Sequence, residues 1–283
     1  MVAIVSALAL GALPAGAARE TLQRVTLIGD SVADGIAGDA AAVRIVSQGV
    51  DLNLQTAACR RLDGTSCPPG PPTLVELAKS MGSKLGPNVV VAVGYNEFED
   101  QYARDIETSL QVLEAQGVQH VWWLTLRAAR HPYLSMNDDI EAAAQRHPEM
   151  TVVDWNVYSR SHPEWFQPDG LHLLAGGSEA MATLIHQALL DAHVATPPVR
   201  LTTTRLPWAR LAKAYHARVT AAGGDPPYRF SLVGRPPLGI HLLAGGVLDG
   251  RPRAKLGSYV LHLQVKDADG SFDSRTVTLR VVS

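Results

Sequence analysis

One apolar segment limits the fold of this 283-residue chain more than any other feature. Residues 88–93 read Asn-Val-Val-Val-Ala-Val, and such a run is typical of a strand buried on both faces of a parallel sheet. Similar segments alternate with others whose apolar residues recur at helical spacing. This alternation predicts an α/β domain with a parallel sheet covered by helices on both faces. We predict strands at 25–28, 42–46, 52–55, 88–93, 120–126 and 150–155, and helices at 73–84, 99–116, 137–146 and 174–192.

The first predicted strand ends in Gly29-Asp30-Ser31, and small residues typical of a helix start follow it. A serine at the N-terminus of a helix carries its hydroxyl on a rigid support, next to unpaired N–H groups that favour negative charge. A nucleophilic serine needs both features. The same residues also fit a simple helix N-cap, since Ser and Asp are common caps. Gly-Asp-Ser alone therefore leaves both interpretations open.

Three further polar residues favour the nucleophile. Asn96 follows the strand at 88–93, and Asp169 and His172 lie in the loop before the last predicted helix. Ligands of such sheets bind at the carboxyl ends of the strands, so we expect these residues and Ser31 to share one edge. Each has an ordinary explanation alone: a solvated histidine, an Asp-Gly turn, a cap. Together they predict a Ser31–His172–Asp169 catalytic triad, with the Asn96 amide in an oxyanion hole.

These segments resemble a known family, the SGNH (GDSL-like) hydrolases. The resemblance rests on residues 29–31 (Gly-Asp-Ser), 94–97 (Gly-Tyr-Asn-Glu) and 169–172 (Asp-Gly-Leu-His), and it covers residues 24 to about 192. It implies a flavodoxin-like three-layer α/β/α domain and a Ser-His-Asp triad. In this family, the serine N–H, a backbone N–H of a second sequence block and the Asn side chain form the oxyanion hole. Members cleave or transfer acyl groups, often O-acetyl groups on glycans.

The sequence departs from the family pattern in two places. In the family, the segment that corresponds to residues 94–97 is called the third block and usually ends in Asp. Here Glu97 takes that place, at a position that is not part of the triad. No glycine is clearly assignable to the second block. Its position suggests the segment 57–61, with Cys59 as our candidate donor and Gly49 as the alternative. A backbone N–H can come from any non-proline residue, so the hole can survive this change.

Residues 2–18 are small and apolar and end in Ala-Gly-Ala-Ala, which resembles a signal-peptidase site without the usual positive n-region. We therefore expect a signal peptide at 1–18 and a protein that is secreted, periplasmic or on the cell surface, with no membrane span after cleavage. Export would permit a disulfide between Cys59 and Cys67. Two reduced thiols in a cytosolic protein are the alternative, and the two cysteines lie far from any cluster that would suggest a zinc site.

The pattern changes near residues 195–200, which contain two prolines. We expect a hydrolase domain at 19–195 and a small all-β domain at 200–283, with strands at 215–219, 228–232, 259–265 and 276–282. Four motifs of this tail, at residues 223–228, 237–240, 246–250 and 257–259, resemble those of a bacterial Ig-like, cadherin-related module. The resemblance implies a β-sandwich that acts as a spacer or a glycan-contacting appendage. Three aspartates suggest either calcium or, in our preferred interpretation, a solvated turn, because Ca²⁺ needs six or more oxygen ligands. They are Asp267, Asp269 and Asp273.

The formal net charge is −2 and no basic block occurs, so composition gives no reason to expect nucleic acid as a partner. We expect a secreted serine esterase that removes acyl groups, O-acetyl above all, from a carbohydrate or a small ester, with no cofactor and no metal. A glycan O-acyltransferase and a non-catalytic cell-surface glycan-binding protein are the alternatives. We expect core or site-rim packing, rather than a sugar platform, from five aromatic residues: Trp122, Trp123, Trp155, Trp165 and Phe166.

Overall fold

The computed structural model describes residues 22–128, 132–234, 236–268 and 270–283. The described chain divides into two compact units, residues 22–197 and residues 198–283. The predicted signal peptide at 1–18 lies outside the described residues, as does Asp269. None of the described helices is long and apolar enough to cross a membrane.

The first unit is built on a five-stranded parallel sheet. Its strand order is β2-β1-β3-β4-β5, which is the flavodoxin-like order of a doubly wound sheet. The predicted α/β class and parallel sheet are therefore confirmed. The strands are β1 (Arg24–Gly29), β2 (Asp51–Thr56), β3 (Asn88–Ala92), β4 (His120–Leu124) and β5 (Met150–Val153).

Helices cover both faces of this sheet, because side chains along each strand alternate between two separate cores. Val90 and Trp122 belong to one core, and Val91 and Trp123 belong to the other. Helices α1, α2 and α7 pack on the first face, and α3, α4 and α5 on the second. The helices are α1 (Asp34–Ala37), α2 (Ala40–Val46), α3 (Leu74–Met81), α4 (Glu99–Ala115), α5 (Pro132–Arg146), α6 (Trp155–Ser159) and α7 (Ala175–Asp191), with 3-10 turns at Gly82–Leu85 and Pro163–Trp165.

The prediction of a strand at 42–46 is wrong, because these residues belong to helix α2. The Asp39 side chain caps this helix by accepting hydrogen bonds from the N–H groups of Ala41 and Ala42. This cap and the three alanines that begin the helix outweigh the strand preference of its valines and isoleucine. Two buried residues on one face, Ala42 and Val46, attach it to the sheet. The strand predicted at 52–55 is therefore β2, the second strand of the chain.

The second unit consists of short strands around a single apolar core. A four-stranded sheet (β10-β13-β14-β7) and a three-stranded sheet (β11-β12-β8) both contribute buried residues to it, and β6 pairs with β9. The secondary-structure elements described in residues 198–283 are all strands. The strands are β6 (Arg200–Leu201), β7 (Ala209–Arg210), β8 (Tyr215–Arg218), β9 (Ala221–Ala222), β10 (Arg229–Val233), β11 (Ile240–Leu242), β12 (Val247–Gly250), β13 (Gly257–Lys266) and β14 (Phe272–Val282).

Candidate active site

Ser31 lies in the turn that connects β1 to α1, at the carboxyl edge of the sheet. Helix α1 begins at Asp34, two residues later than a helix capped by Ser31 would, and the turn before it is closed by a bond from the Asp34 N–H to the Asp30 carbonyl, at 3.0 Å. Gly29 is required here because a Cβ at that position would lie 2.4 Å from the Cβ of Ala33. Within the described residues, no acceptor faces the Ser31 N–H, which leaves that donor free for a ligand.

The structure brings Ser31, His172 and Asp169 into one hydrogen-bonded chain. The Ser31 Oγ lies 3.1 Å from Nε2 of His172, and Nδ1 of the same ring lies 2.7 Å from Oδ2 of Asp169. An ionised Asp169 can only accept, so Nδ1 carries the proton and Nε2 is left free to accept from the serine hydroxyl. This is the geometry of a nucleophile, a base and an orienting carboxylate.

The loop before α7 holds Asp169 in a fixed position. Its second carboxylate oxygen accepts from the N–H groups of Leu171 and His172, at 2.9 and 3.0 Å. The hydrogen bond from the His172 ring, followed by that from the Leu171 backbone, lowers the pKa of Asp169 to about 2. Asp169 therefore stays ionised wherever the histidine is neutral. The side chains of His172 and Asp169 are 39% and 42% exposed, so water reaches this part of the site.

Asn96 follows β3 and points to the segment after β2. Its Nδ2 donates to the backbone carbonyl of Arg60, at 3.2 Å, and its second N–H stays available for a substrate oxygen. Cys59 precedes Arg60 and has a φ of +64°, a conformation that L-residues other than Gly, Asn and Asp rarely adopt. Cys59 thus has a backbone conformation typical of glycine, in the segment where we expected the second block.

The structure contains the expected disulfide between Cys59 and Cys67. It closes the loop that carries Cys59 next to Asn96. The alternative donor, Gly49, lies before the start of β2. Ala57 follows the other end of that strand, and its N–H donates to the carbonyl of Gly29, beside the Ser31 turn. Gly49 is therefore at the end of β2 away from Ser31. Gly49 instead packs against the backbone of Thr196, whose N–H donates to the Gly49 carbonyl at 3.0 Å.

Glu97 connects the same two segments, although the sequence gives no sign of this. Its side chain is fully buried, and it accepts from the Leu62 N–H at 2.5 Å and from Nε of Arg61 at 3.1 Å. Burial raises the pKa of Glu97 to about 7, against the opposing effects of the Leu62 N–H and the Arg61 guanidinium. The longer Glu side chain at this position therefore anchors the disulfide loop to the loop after β3.

Asp30 connects the turn of Ser31 to the loop of Asn96. Its carboxylate is fully buried and accepts from the N–H groups of Val32, Gly94 and Tyr95 at 3.0, 3.0 and 3.1 Å. Burial raises the pKa of Asp30 to about 6, and the three N–H donors oppose this rise. Asp30 thus holds the positions of the candidate nucleophile and the candidate oxyanion donor relative to each other.

The aromatic residues near the site are mainly packing residues. Trp122, Trp123, Trp155 and Phe166 are buried, and the Trp165 ring stacks on His162 with their centres 3.8 Å apart. In the described part of the chain, no group of three or more His, Cys, Asp or Glu side chains is arranged to hold a metal ion.

Comparison with known proteins gives several matches to acyltransferases and esterases. The chain is 32% identical over 117 residues to YrhL of Bacillus subtilis, named as a candidate peptidoglycan O-acetyltransferase, with 41% of this chain and 18% of that protein covered. It is 33% identical over 103 residues to the O-acetyltransferase OatA of Staphylococcus aureus, with 36% of this chain and 16% of that protein covered. The chain thus spans less than a fifth of the length of these curated relatives. No family model matches it.

Solved structures with a similar arrangement include two carbohydrate-active proteins. The C-terminal catalytic domain of Streptococcus pneumoniae peptidoglycan O-acetyltransferase A is 21% identical with a TM-score of 0.48, covering 62% of this chain and 96% of that one. A family 3 carbohydrate esterase of Clostridium thermocellum is 12% identical with a TM-score of 0.48, covering 61% of this chain and 97% of that one.

Proposed function

We propose that this protein is a serine-dependent enzyme of the SGNH type that acts on acyl esters of carbohydrates, with Ser31, His172 and Asp169 as its catalytic triad. The observation that carries the proposal is the hydrogen-bonded chain from Ser31 Oγ through His172 to Asp169, at 3.1 and 2.7 Å. These two hydrogen bonds contribute little to the stability of an exposed loop, and their geometry matches what acyl transfer through a serine requires.

In the proposed reaction, Ser31 Oγ attacks the ester carbonyl while its proton passes to His172 Nε2. The tetrahedral intermediate collapses as the C–O bond to the alcohol breaks and His172 returns the proton to the departing oxygen. This leaves an acyl-Ser31 ester and a free alcohol. A second hydroxyl compound then attacks this ester, with His172 again accepting and returning the proton, and Ser31 is regenerated.

The negative charge on the carbonyl oxygen needs hydrogen-bond donors placed in advance. We assign this role to the Ser31 N–H, the Asn96 side chain and the backbone N–H of Cys59. The bond from Asn96 to the Arg60 carbonyl supports the assignment because it brings the two later segments together. The free Ser31 N–H supports it as well.

The acceptor in the second step decides whether the enzyme is a hydrolase or a transferase. We propose water, and thus an esterase that removes O-acetyl groups, because His172 and Asp169 are 39% and 42% exposed and water therefore has access. The names of the relatives, which are O-acetyltransferases, favour a sugar hydroxyl as the acceptor. A glycan O-acetyltransferase is therefore the second candidate.

We further infer the organisation of the whole chain. Residues 1–18 are proposed as a signal peptide of a secreted or cell-surface protein, and residues 19–195 as the catalytic domain. Residues 200–283 are proposed as an Ig-like sandwich, supported by two sheets that share one apolar core. The relatives' names suggest peptidoglycan, an acetylated carbohydrate, as the class of substrate.

A panel of aryl acetates and acetylated glycans, each incubated with and without a sugar acceptor, tests the proposal. We expect wild-type protein to release acetate and Ser31→Ala to release none above background. Ser80→Ala is the matched control, because Ser80 is exposed on α3 and its hydroxyl bonds only to the helix carbonyl of Leu77. Acetylated acceptor in place of free acetate would identify the transferase, and no turnover of any ester would leave the binding-protein alternative.

A further inference from the structure

The charge of this chain is divided unevenly between its two units. Residues 198–283 contain thirteen Lys and Arg, five Asp and no Glu, for a net charge of +8. Residues 22–197 contain eleven Lys and Arg and twenty-one Asp and Glu, for a net charge of −10. The formal charge of −2 for the whole chain conceals this division. Such an asymmetry indicates that the basic part has an acidic partner.

Of the four aspartates that the structure describes in the second unit, only Asp249 is exposed. Asp225 and Asp267 are buried, and the partly buried Asp273 accepts from the Leu201 N–H at 2.7 Å. Asp249 is exposed and faces His216 at 3.5 Å. Among the described residues of this unit, no exposed Lys or Arg forms a salt bridge. The exposed set comprises Arg200, Arg205, Arg210, Lys213, Arg218, Arg229, Arg251, Arg253, Lys255, Lys266 and Arg280.

The backbone gathers six of these cations at one end of the unit. Strand β7 pairs with the end of β14, so that Arg210 lies opposite Val282, and the Leu211 N–H donates to the Val282 carbonyl at 2.8 Å. The Ala212 N–H then donates to the carbonyl of Pro252 at 2.9 Å, which brings a second basic segment alongside. We call this surface the basic end, and it consists of Arg210, Lys213, Arg251, Arg253, Lys255 and Arg280.

The segments that carry the six cations, residues 208–213, 250–257 and 278–283, contain no acidic residue, and one exposed carboxylate, that of Asp249, directly precedes the second of them. Crowding six like charges beside a single carboxylate costs free energy, and a bound anion lowers that cost. Arginines supply planar pairs of N–H donors that match carboxylate and phosphate groups.

An exposed tryptophan accompanies these cations. Trp208 immediately precedes β7, and 65% of its surface is exposed. The guanidinium carbon of Arg280 lies 5.0 Å from the centre of its ring, which is a cation–π distance. The apolar face of this ring suits the C–H face of a sugar ring.

We propose that the basic end binds an anionic polysaccharide, with its arginines and lysines contacting carboxylate or phosphate groups and Trp208 packing on a sugar ring. The choice of a polysaccharide over other polyanions rests on the proposed function and on Trp208. Binding by a tethered module raises the local concentration of the polymer near Ser31 without altering the chemistry there.

The test measures binding of the full chain, carrying Ser31→Ala, to polygalacturonate, with dextran as the neutral polysaccharide. We expect binding to polygalacturonate that weakens steeply between about 0.05 and 0.5 M salt, and none to dextran. The variant Arg251→Gln/Arg253→Gln/Lys255→Gln should bind about tenfold more weakly. Trp208→Ala should weaken binding to polygalacturonate more than binding to polyphosphate, which has no sugar rings.

The matched control removes three charges from the opposite end of the same unit: Arg200→Gln/Arg229→Gln/Lys266→Gln. Arg229 pairs with Lys266, and Lys266 lies opposite Phe272, near the start of β14. Arg280 lies eight residues further along β14, about 26 Å from Phe272. We expect this control to weaken binding less than about threefold. Equal losses in the two triple variants would overturn the proposal, since net charge alone would then explain binding.

Three other results would also overturn it: equal or tighter binding of double-stranded DNA or phosphatidylglycerol vesicles, equal binding of dextran, or self-association of the chain at low salt that competes with polygalacturonate. Failure here is separable from failure of the proposed function. In the wild-type background, both triple variants should cleave a small aryl acetate normally, because their substitutions all lie outside residues 22–197.

Discussion

The substitution Asp30→Asn examines the group that links the candidate nucleophile to the candidate oxyanion donor. Asp30 is fully buried, and burial raises its pKa from 3.8 to about 6 despite three backbone N–H donors. An amide of the same shape has no charge, but one of its two polar atoms can no longer accept. At least one buried N–H donor among Val32, Gly94 and Tyr95 therefore loses its acceptor, at a cost of about 1–3 kcal/mol.

The sign of the pH effect follows from the raised pKa. As the pH rises from 4 to 7, the Asp30 carboxyl ionises first in the unfolded chain, so the wild-type protein loses stability over this range. A rise of about two pKa units corresponds to about 3 kcal/mol. The stability of Asp30→Asn lacks this pH-dependent contribution, because an amide does not ionise. The stability advantage of wild type over Asp30→Asn should therefore be largest near pH 4 and smaller by about 3 kcal/mol at pH 7.

Urea unfolding followed by tryptophan fluorescence at pH 4, 5, 6 and 7 measures this difference. Four of the five tryptophans lie in residues 22–197, so the signal reports mainly on the unit that contains Asp30. Asp34→Asn is the matched control, since Asp34 is exposed and only four residues away. If the wild-type advantage stays constant or grows with pH, the three N–H donors outweigh burial and the reasoning is refuted.

Three further predictions concern the site and its supports. Replacing Cys59 and Cys67 with serine should cost about 2–3 kcal/mol of stability and lower kcat more than it raises KM; full activity in the double variant would contradict a role in holding the oxyanion donor. The value of kcat/KM should fall as the pH drops, because a protonated His172 cannot accept the Ser31 proton, and a flat profile from pH 4 to 8 would exclude a histidine base. Truncation after residue 197, which keeps the bond between Thr196 and Gly49, should leave a folded unit that cleaves aryl acetates, and an insoluble or inactive product would refute this.

The sequence predicted the sheet and the positions of the site residues because both depend on local patterns. Unbroken apolar strands such as 88–93 have few alternative structures, and the carboxyl-edge rule placed Ser31 and Asn96 together. Helix α2 was mistaken for a strand because its valines and isoleucine suggested a strand, whereas the Asp39 cap and three alanines determined the outcome. Capping depends on a single side chain, and a pattern of apolar residues does not reveal it.

The contacts that hold the site together could not be predicted from the sequence. Glu97 and Arg61 are 36 residues apart, and the sequence does not indicate that they meet in a buried ion pair. The +64° φ of Cys59 is likewise a product of tertiary structure. The charge division between the two units was present in the sequence, but the near-zero total concealed it.

The central claim is that Ser31 is the nucleophile and His172 its base, and covalent labelling tests this most directly. Wild-type protein, Ser31→Ala, His172→Ala and the control Ser80→Ala are incubated with a fluorophosphonate, and intact mass and peptide mapping locate the adduct. We predict one adduct on Ser31 in wild type and in Ser80→Ala, none in Ser31→Ala, and a rate lower by several orders of magnitude in His172→Ala. No adduct in the folded wild-type protein, or equal labelling of Ser31→Ala, would contradict the claim.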